Sequence, residues 1–124
     1  MNNNRNNNGL AWLLTEAILM RINKSGAQIY EKLDLTMLII DTTYAMVSDN
    51  RKDMEIIEKE RAAAQELRRQ YSPIIDEDRL SVNEAKTNFN IYLDDITRIV
   101  LLIIYKNDLI NPSLLQEVKA VKWK

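Results

Sequence analysis

The sequence predicts an all-α fold, a compact bundle of four to five mostly antiparallel helices. Three observations predict it. Apolar residues recur at steps of three and four along most of the chain, the helical period. Gly and Pro number only two each in 124 residues, too few for the tight turns of a sandwich or barrel. Apolar residues make up 46%, enough for one core and too many for a disordered chain. The expected organisation is an Asn-rich tail or linker remnant over residues 1–8 and one helical-bundle domain over residues 9–124.

Residues 1–8 hold six Asn and one Arg after Met1, a composition that buries nothing. A first helix is expected from Leu10 to about Lys24, with Trp12, Leu13, Leu14, Ala17, Ile18, Leu19 and Ile22 spread over more than half its circumference. Ser25-Gly26 stops it, because Gly tolerates the left-handed position after a helix. The second helix, from Ala27 to about Val47, carries Ile29, Leu33, Met37, Ile40, Tyr44 and Val47 on one face. Asp49 or Asn50 then offers a side-chain acceptor to the first free amides of a third helix.

That third helix, about Arg51 to Tyr71, is the most charged, with Met54, Ile57, Ala64, Leu67 and Tyr71 as a narrow apolar strip. Ser72-Pro73 is expected to end it, since the residue before Pro avoids the α region. Residues 74–80 read as a loop. Ser81 and Glu84 have the spacing of a capping box, opening a fourth helix with Val82, Ala85, Phe89, Tyr92, Ile96, Ile99 and Ile103 facing the core. Asn107 closes it. Asn111-Pro112 has the chemistry of a fifth helix start, with Leu114 or Leu115, Val118 and Val121 on its apolar side.

The absences narrow the chemistry. There is no Cys and no His, hence no disulfide, thiol nucleophile, imidazole base or ordinary zinc site. Gly9 and Gly26 do not make a phosphate-binding loop. Asp76-Glu77-Asp78 lacks the ligand alternation of a calcium loop and reads as a solvated acidic loop. Asp34 and Asp41 lie seven apart without a matching second pair. Asp94 and Asp95 point about 100° apart on a helix, with Asp95 beside the apolar face and Asp94 outward. No catalytic residue, metal, cofactor or small-molecule substrate is expected, and the chain is expected not to be an enzyme.

Seventeen basic and eighteen acidic residues leave a net charge of −1, which gives no global attraction to nucleic acid or anionic membrane. The longest apolar run, Ile99 to Tyr105, is seven residues against about 20 for a membrane span. Leu10 to Met20 is interrupted by Glu16 and has no small-residue cleavage site, unlike a signal peptide. A soluble, cytoplasmic protein is expected. Locally, Arg51, Arg61, Arg68 and Arg69 fall within an arc of roughly 100° on the third helix, with Glu58 in the same arc. Arg suits phosphate and carboxylate contacts. Lys119, Lys122 and Lys124 with Trp123 form a second basic patch able to meet phosphate and stack a base.

In size, helical pattern, lack of catalytic residues and scattered Arg side chains, the chain resembles the small helical-bundle subunit of type I CRISPR Cascade effector complexes. The Asn-rich start, Asn2 to Asn8, resembles a linker retained by an internal translation start, as occurs in some of those subunits. The resemblance lies in format over Leu10 to Lys124 and rests on no diagnostic motif. It implies a non-catalytic subunit of a nucleoprotein assembly that bridges neighbouring subunits. Arg51, Arg61, Arg68, Arg69, Lys119 and Lys122 would then contact RNA or DNA backbone without reading sequence. An alternative needs no nucleic acid: a small phage or mobile-element module that associates with copies of itself, or docks a host protein, through apolar excess on the first and fourth helices.

Overall fold

Among the described residues four helices alternate in direction: α1 (Asn3–Asn23), α2 (Ile29–Met46), α3 (Arg51–Asp76) and α4 (Val82–Lys106). The computed structural model describes the backbone of residues 3–24, 29–76 and 82–110 and the side chains of 9–24, 29–75 and 83–110. Cross-helix partners fix the directions. Tyr44 meets Glu58 and Tyr30 meets Ser72, so α2 and α3 are antiparallel. Tyr71 packs on Phe89 while Lys106 reaches Asp53, so α3 and α4 are antiparallel. Lys32 meets Asn90 and Thr36 meets Thr97, so α2 runs parallel to α4. Helix α2 touches all three others, and α1 leans chiefly on α2. The all-α bundle expected from the periodicity is the fold. The expected fifth helix and the Ser81 cap lie outside the described residues.

The core is mostly aliphatic, built from Leu14 and Ile18 of α1, Leu33, Ile39 and Ile40 of α2, Ile57 and Ala64 of α3, and Phe89, Leu93, Val100 and Ile104 of α4. Phe89 anchors one end. Its ring meets those of Tyr30 and Tyr71 edge-on, at 6.4 and 5.8 Å between centroids, the arrangement that aromatic quadrupoles favour.

The helix ends follow capping chemistry. Asn50 is the N-cap of α3: its Oδ1 accepts from Asp53 N at 3.2 Å, and its carbonyl accepts the first helical bond from Met54 N at 3.0 Å. Beyond α4 the chain turns through Asp108 at φ 51°. Asp108 N donates to Tyr105 O at 3.3 Å and Leu109 N to Ile104 O at 3.2 Å, the paired bonds of a Schellman turn. An Asp here accepts a left-handed conformation that Gly ordinarily supplies.

Three sequence expectations need correction. The first helix does not begin at Leu10: its backbone is helical from Asn3, since adding turns to an existing helix is far easier than starting one. The third helix does not stop at Ser72-Pro73 but runs through Pro73 to Asp76, which also removes Ile74, Ile75 and Asp76 from the expected loop. A Pro inside a helix loses one bond and costs about 3 kcal/mol. Here it sits one turn from the end, and the turn is held by Tyr71 and Ile75 against the core and by Tyr30 Oη on Ser72 Oγ at 3.4 Å. The face of α4 is also rotated from expectation. Ala85, Phe89, Ile96 and Ile103 are buried as expected, but Tyr92 and Ile99 are 49% and 37% exposed, and Leu93, Thr97, Val100 and Ile104 are buried in their place. Steps from Phe89 to Leu93, Ile96, Val100 and Ile104 are as helical as the steps through Tyr92 and Ile99, and packing against two helices selects between them.

Leu93 and Leu102 separate the two registers, being the same residue on the same helix at 0% and 64% exposure. Leu93→Ala should destabilise the chain by about 2–5 kcal/mol, whereas Leu102→Ala should stay within about 0.5 kcal/mol. Urea unfolding followed by circular dichroism measures both.

Candidate functional site

The basic strip on α3 is the first candidate, and the structure joins most of it to its own neighbours. Arg61 is half-buried, paired with Asp41 of α2, and its guanidinium lies 5.4 Å from the centre of the Tyr44 ring. Arg68 is exposed and lies 5.8 Å from the centre of the Tyr30 ring, also on α2. Arg69 is paired with Glu66 one turn back. Arg51 borders a hollow of about 540 Å³ beside Asp49, Glu55 and Glu58. Helix α2 thus presents Tyr30 and Tyr44 under two arginines of α3, and the strip works mainly as an α2–α3 clasp. Such cation–ring contacts contribute about 0.5–1 kcal/mol each at exposed sites. Lys119 and Lys122 lie outside the described residues, as do the acidic side chains of 76–78.

The second feature was not expected: a polar layer through the core. Arg21 of α1 is 2% exposed. Its Nη2 donates to Asp94 Oδ1 of α4 at 2.5 Å, and its Nε donates to Thr36 Oγ1 of α2 at 2.9 Å. The Thr36 and Thr97 hydroxyls lie 3.2 Å apart, and Thr97 also donates to Leu93 O at 2.8 Å. Asp94 is therefore buried and Asp95 exposed, the reverse of the expected facing. Lys32 adds a second cation, with Nζ donating to Asn90 Oδ1 at 3.4 Å. Burial pushes the Arg21 pKa down against the pull of Asp94. Burial and neighbouring Arg21 push the Lys32 pKa down, again opposed by Asp94. Arg21 was recoverable from spacing, since Leu14, Ala17, Ile18 and Arg21 share one helical face. No such signal marked Asp94 as its partner.

A third cluster ties helix ends together. Asp53 is 1% exposed; its Oδ1 accepts from Lys106 Nζ at 3.1 Å and its Oδ2 from Asn107 Nδ2 at 3.0 Å. The Asn107 bond and then Lys106 hold its pKa below the usual carboxylate value against burial. The role expected of Asn107 is met, because its Nδ2 also donates to Ile103 O at 2.8 Å.

Two surfaces remain open. Large apolar side chains exposed among the described residues are Trp12, Leu13 and Met20 on α1, Ile91, Tyr92, Ile99 and Leu102 on α4, and Ile56 on α3. Between α3 and α4 runs a groove of about 300 Å³, bordered by Ala63, Leu67, Tyr92, Ile96 and Ile99 and by the polar residues Glu60, Glu66, Gln70 and Asp95. Among the described residues no group of three or more acidic side chains is placed to hold a metal, and no helix is long and apolar enough to cross a membrane.

Removing one partner of a buried ion pair costs about 3–5 kcal/mol. Asp94→Ala should lose that much, Asp95→Ala almost nothing, and Arg21→Met with Asp94→Leu should recover most of the loss; chemical denaturation of the three variants measures the order. For Asp53, the folded pKa lies below the unfolded value of about 3.9. Its contribution is therefore complete above that value and fades as pH falls through the folded pKa. Asp53→Asn should be less stable than the parent at neutral pH, with the gap narrowing as pH falls below the unfolded value of about 3.9, as followed by thermal melts across the range.

No family model matches the chain, and neither a curated protein nor a solved structure matches it.

Proposed function

We propose that the chain is a protein-binding assembly module, which associates through the exposed apolar side chains of α1 and α4, with a second copy as the simplest partner. The observation that carries this reading is the placement of Trp12 at 67% and Leu102 at 64% exposure on folded helices whose inner faces are already filled. Scattered exposed apolar residues are ordinary, but several on the same helices are the usual mark of a protein contact. Sequestration of Arg61 and Arg69 in ion pairs supports it further, since a charge already matched adds little to phosphate binding.

A nucleic-acid contact, as in a Cascade-like small subunit, is the second reading. The observation favouring it is that Arg51 and Arg68 are exposed on α3 and form no ion pair among the described residues.

Light scattering over a concentration series tests the first reading. The parent should self-associate, and Trp12→Glu with Leu102→Glu should be monomeric with unchanged helix content. A parent that stays monomeric throughout overturns self-association. Single-stranded DNA titrated at about 50 and 200 mM salt tests the second. Affinity that falls steeply with salt and is lost in Arg51→Ala with Arg68→Ala would replace the first reading with the second.

A further inference from the structure

Helix α4 turns one narrow strip outward. Ile91, Asp95, Arg98 and Leu102 fall within an arc of about 60° at about 100° per residue, and all four are exposed. The strip lies opposite Leu93, Val100 and Ile104, which fill the core, so it faces away from the bundle. Its order is apolar, acidic, basic, apolar, at steps of four, three and four residues. Ile91 and Leu102 stand equally far from the midpoint between Ile96 and Thr97, and so do Asp95 and Arg98. Reversing the helix end for end therefore lays apolar on apolar and acid on base.

We infer that α4 pairs antiparallel with α4 of a second copy about a two-fold axis at that midpoint, with Ile91 against the partner's Leu102 and Asp95 against the partner's Arg98. This rests on the assembly reading and gives it a geometry. A two-fold interface requires one surface to complement itself, and this strip does. Alternating steps of three and four are those of a helix seam. Charge sets the direction. Parallel helices in register would place Asp95 on the partner's Asp95 and Arg98 on the partner's Arg98, whereas the antiparallel pair sets opposite charges together at both central contacts. The bond within each chain, Arg98 Nη1 to Asp95 Oδ1 at 2.8 Å, can persist, because a guanidinium has five donors and a carboxylate about four acceptor sites. The apolar ends supply attraction through burial, and the charges supply orientation and register. Trp12 of α1 is not part of this strip.

Sedimentation velocity on the full chain tests the pairing. Asp95→Arg and Arg98→Asp each set like charges together at the centre, and each should weaken the dimer about tenfold or more. An equimolar mixture of these two variants should pair again, as should one chain carrying both changes, because each brings opposite charges back into contact. Both side chains are exposed, and circular dichroism checks that every variant is folded. A parent that stays monomeric overturns the assembly reading and this pairing with it. A parent dimer that both single variants leave intact overturns the α4 pairing alone, and association through α1 then stands. Single variants that dissociate but are restored neither by mixing nor by combining the changes overturn the two-fold register.

Discussion

The pairing of Arg21 with Asp94 constrains the bundle more than any apolar contact does. Aliphatic side chains in a small helical core can be exchanged or slid by a turn at modest cost when volume is kept. A buried guanidinium cannot, because its donors point along fixed directions and must each find an acceptor. Arg21 finds Asp94 on α4 and Thr36 on α2 at once. Any rotation of α1, or slip of α4 by a turn, would strand charge in the interior. The layer adds little net stability over a well-packed apolar one; what it supplies is a single permitted arrangement of three helices.

This explains the uneven legibility of the sequence. The presence and order of the four described helices could be read because apolar periodicity and Asn punctuation are local signals. The N-cap of α3 at Asn50 and the closing role of Asn107 belong to that class. The facing of α4 could not be read so well. Two apolar stripes, one through Tyr92 and Ile99 and one through Leu93 and Val100, compete on it, and only the positions of α2 and α3 decide between them. Helix α3 passes Ser72-Pro73 for a similar reason: the local signal to stop is outweighed by Tyr71 and Ile75 seated on the core.

The candidate surfaces show the same division. Clustering of arginines on one side of α3 was visible on a helical wheel, but their use was not, because Asp41, Tyr30 and Tyr44 come from another helix. Glu60 drew no notice in a helix crowded with charged residues. Its distinction is burial beside an apolar groove, which only the approach of α4 creates. Apolar excess on α1 and α4 was legible, since it needs only a count of hydrophobic positions exceeding what one core can cover.

The clasp at Asp53 has a mechanical consequence. Its carboxylate grips both Lys106 and Asn107 while lying in the first turn of α3, just after the Asn50 cap. Tension applied through the chain at Ile110 would therefore be passed sideways into α3 before it could peel α4 away from its tip. A load on that end is shared by two rods gripped at one pole.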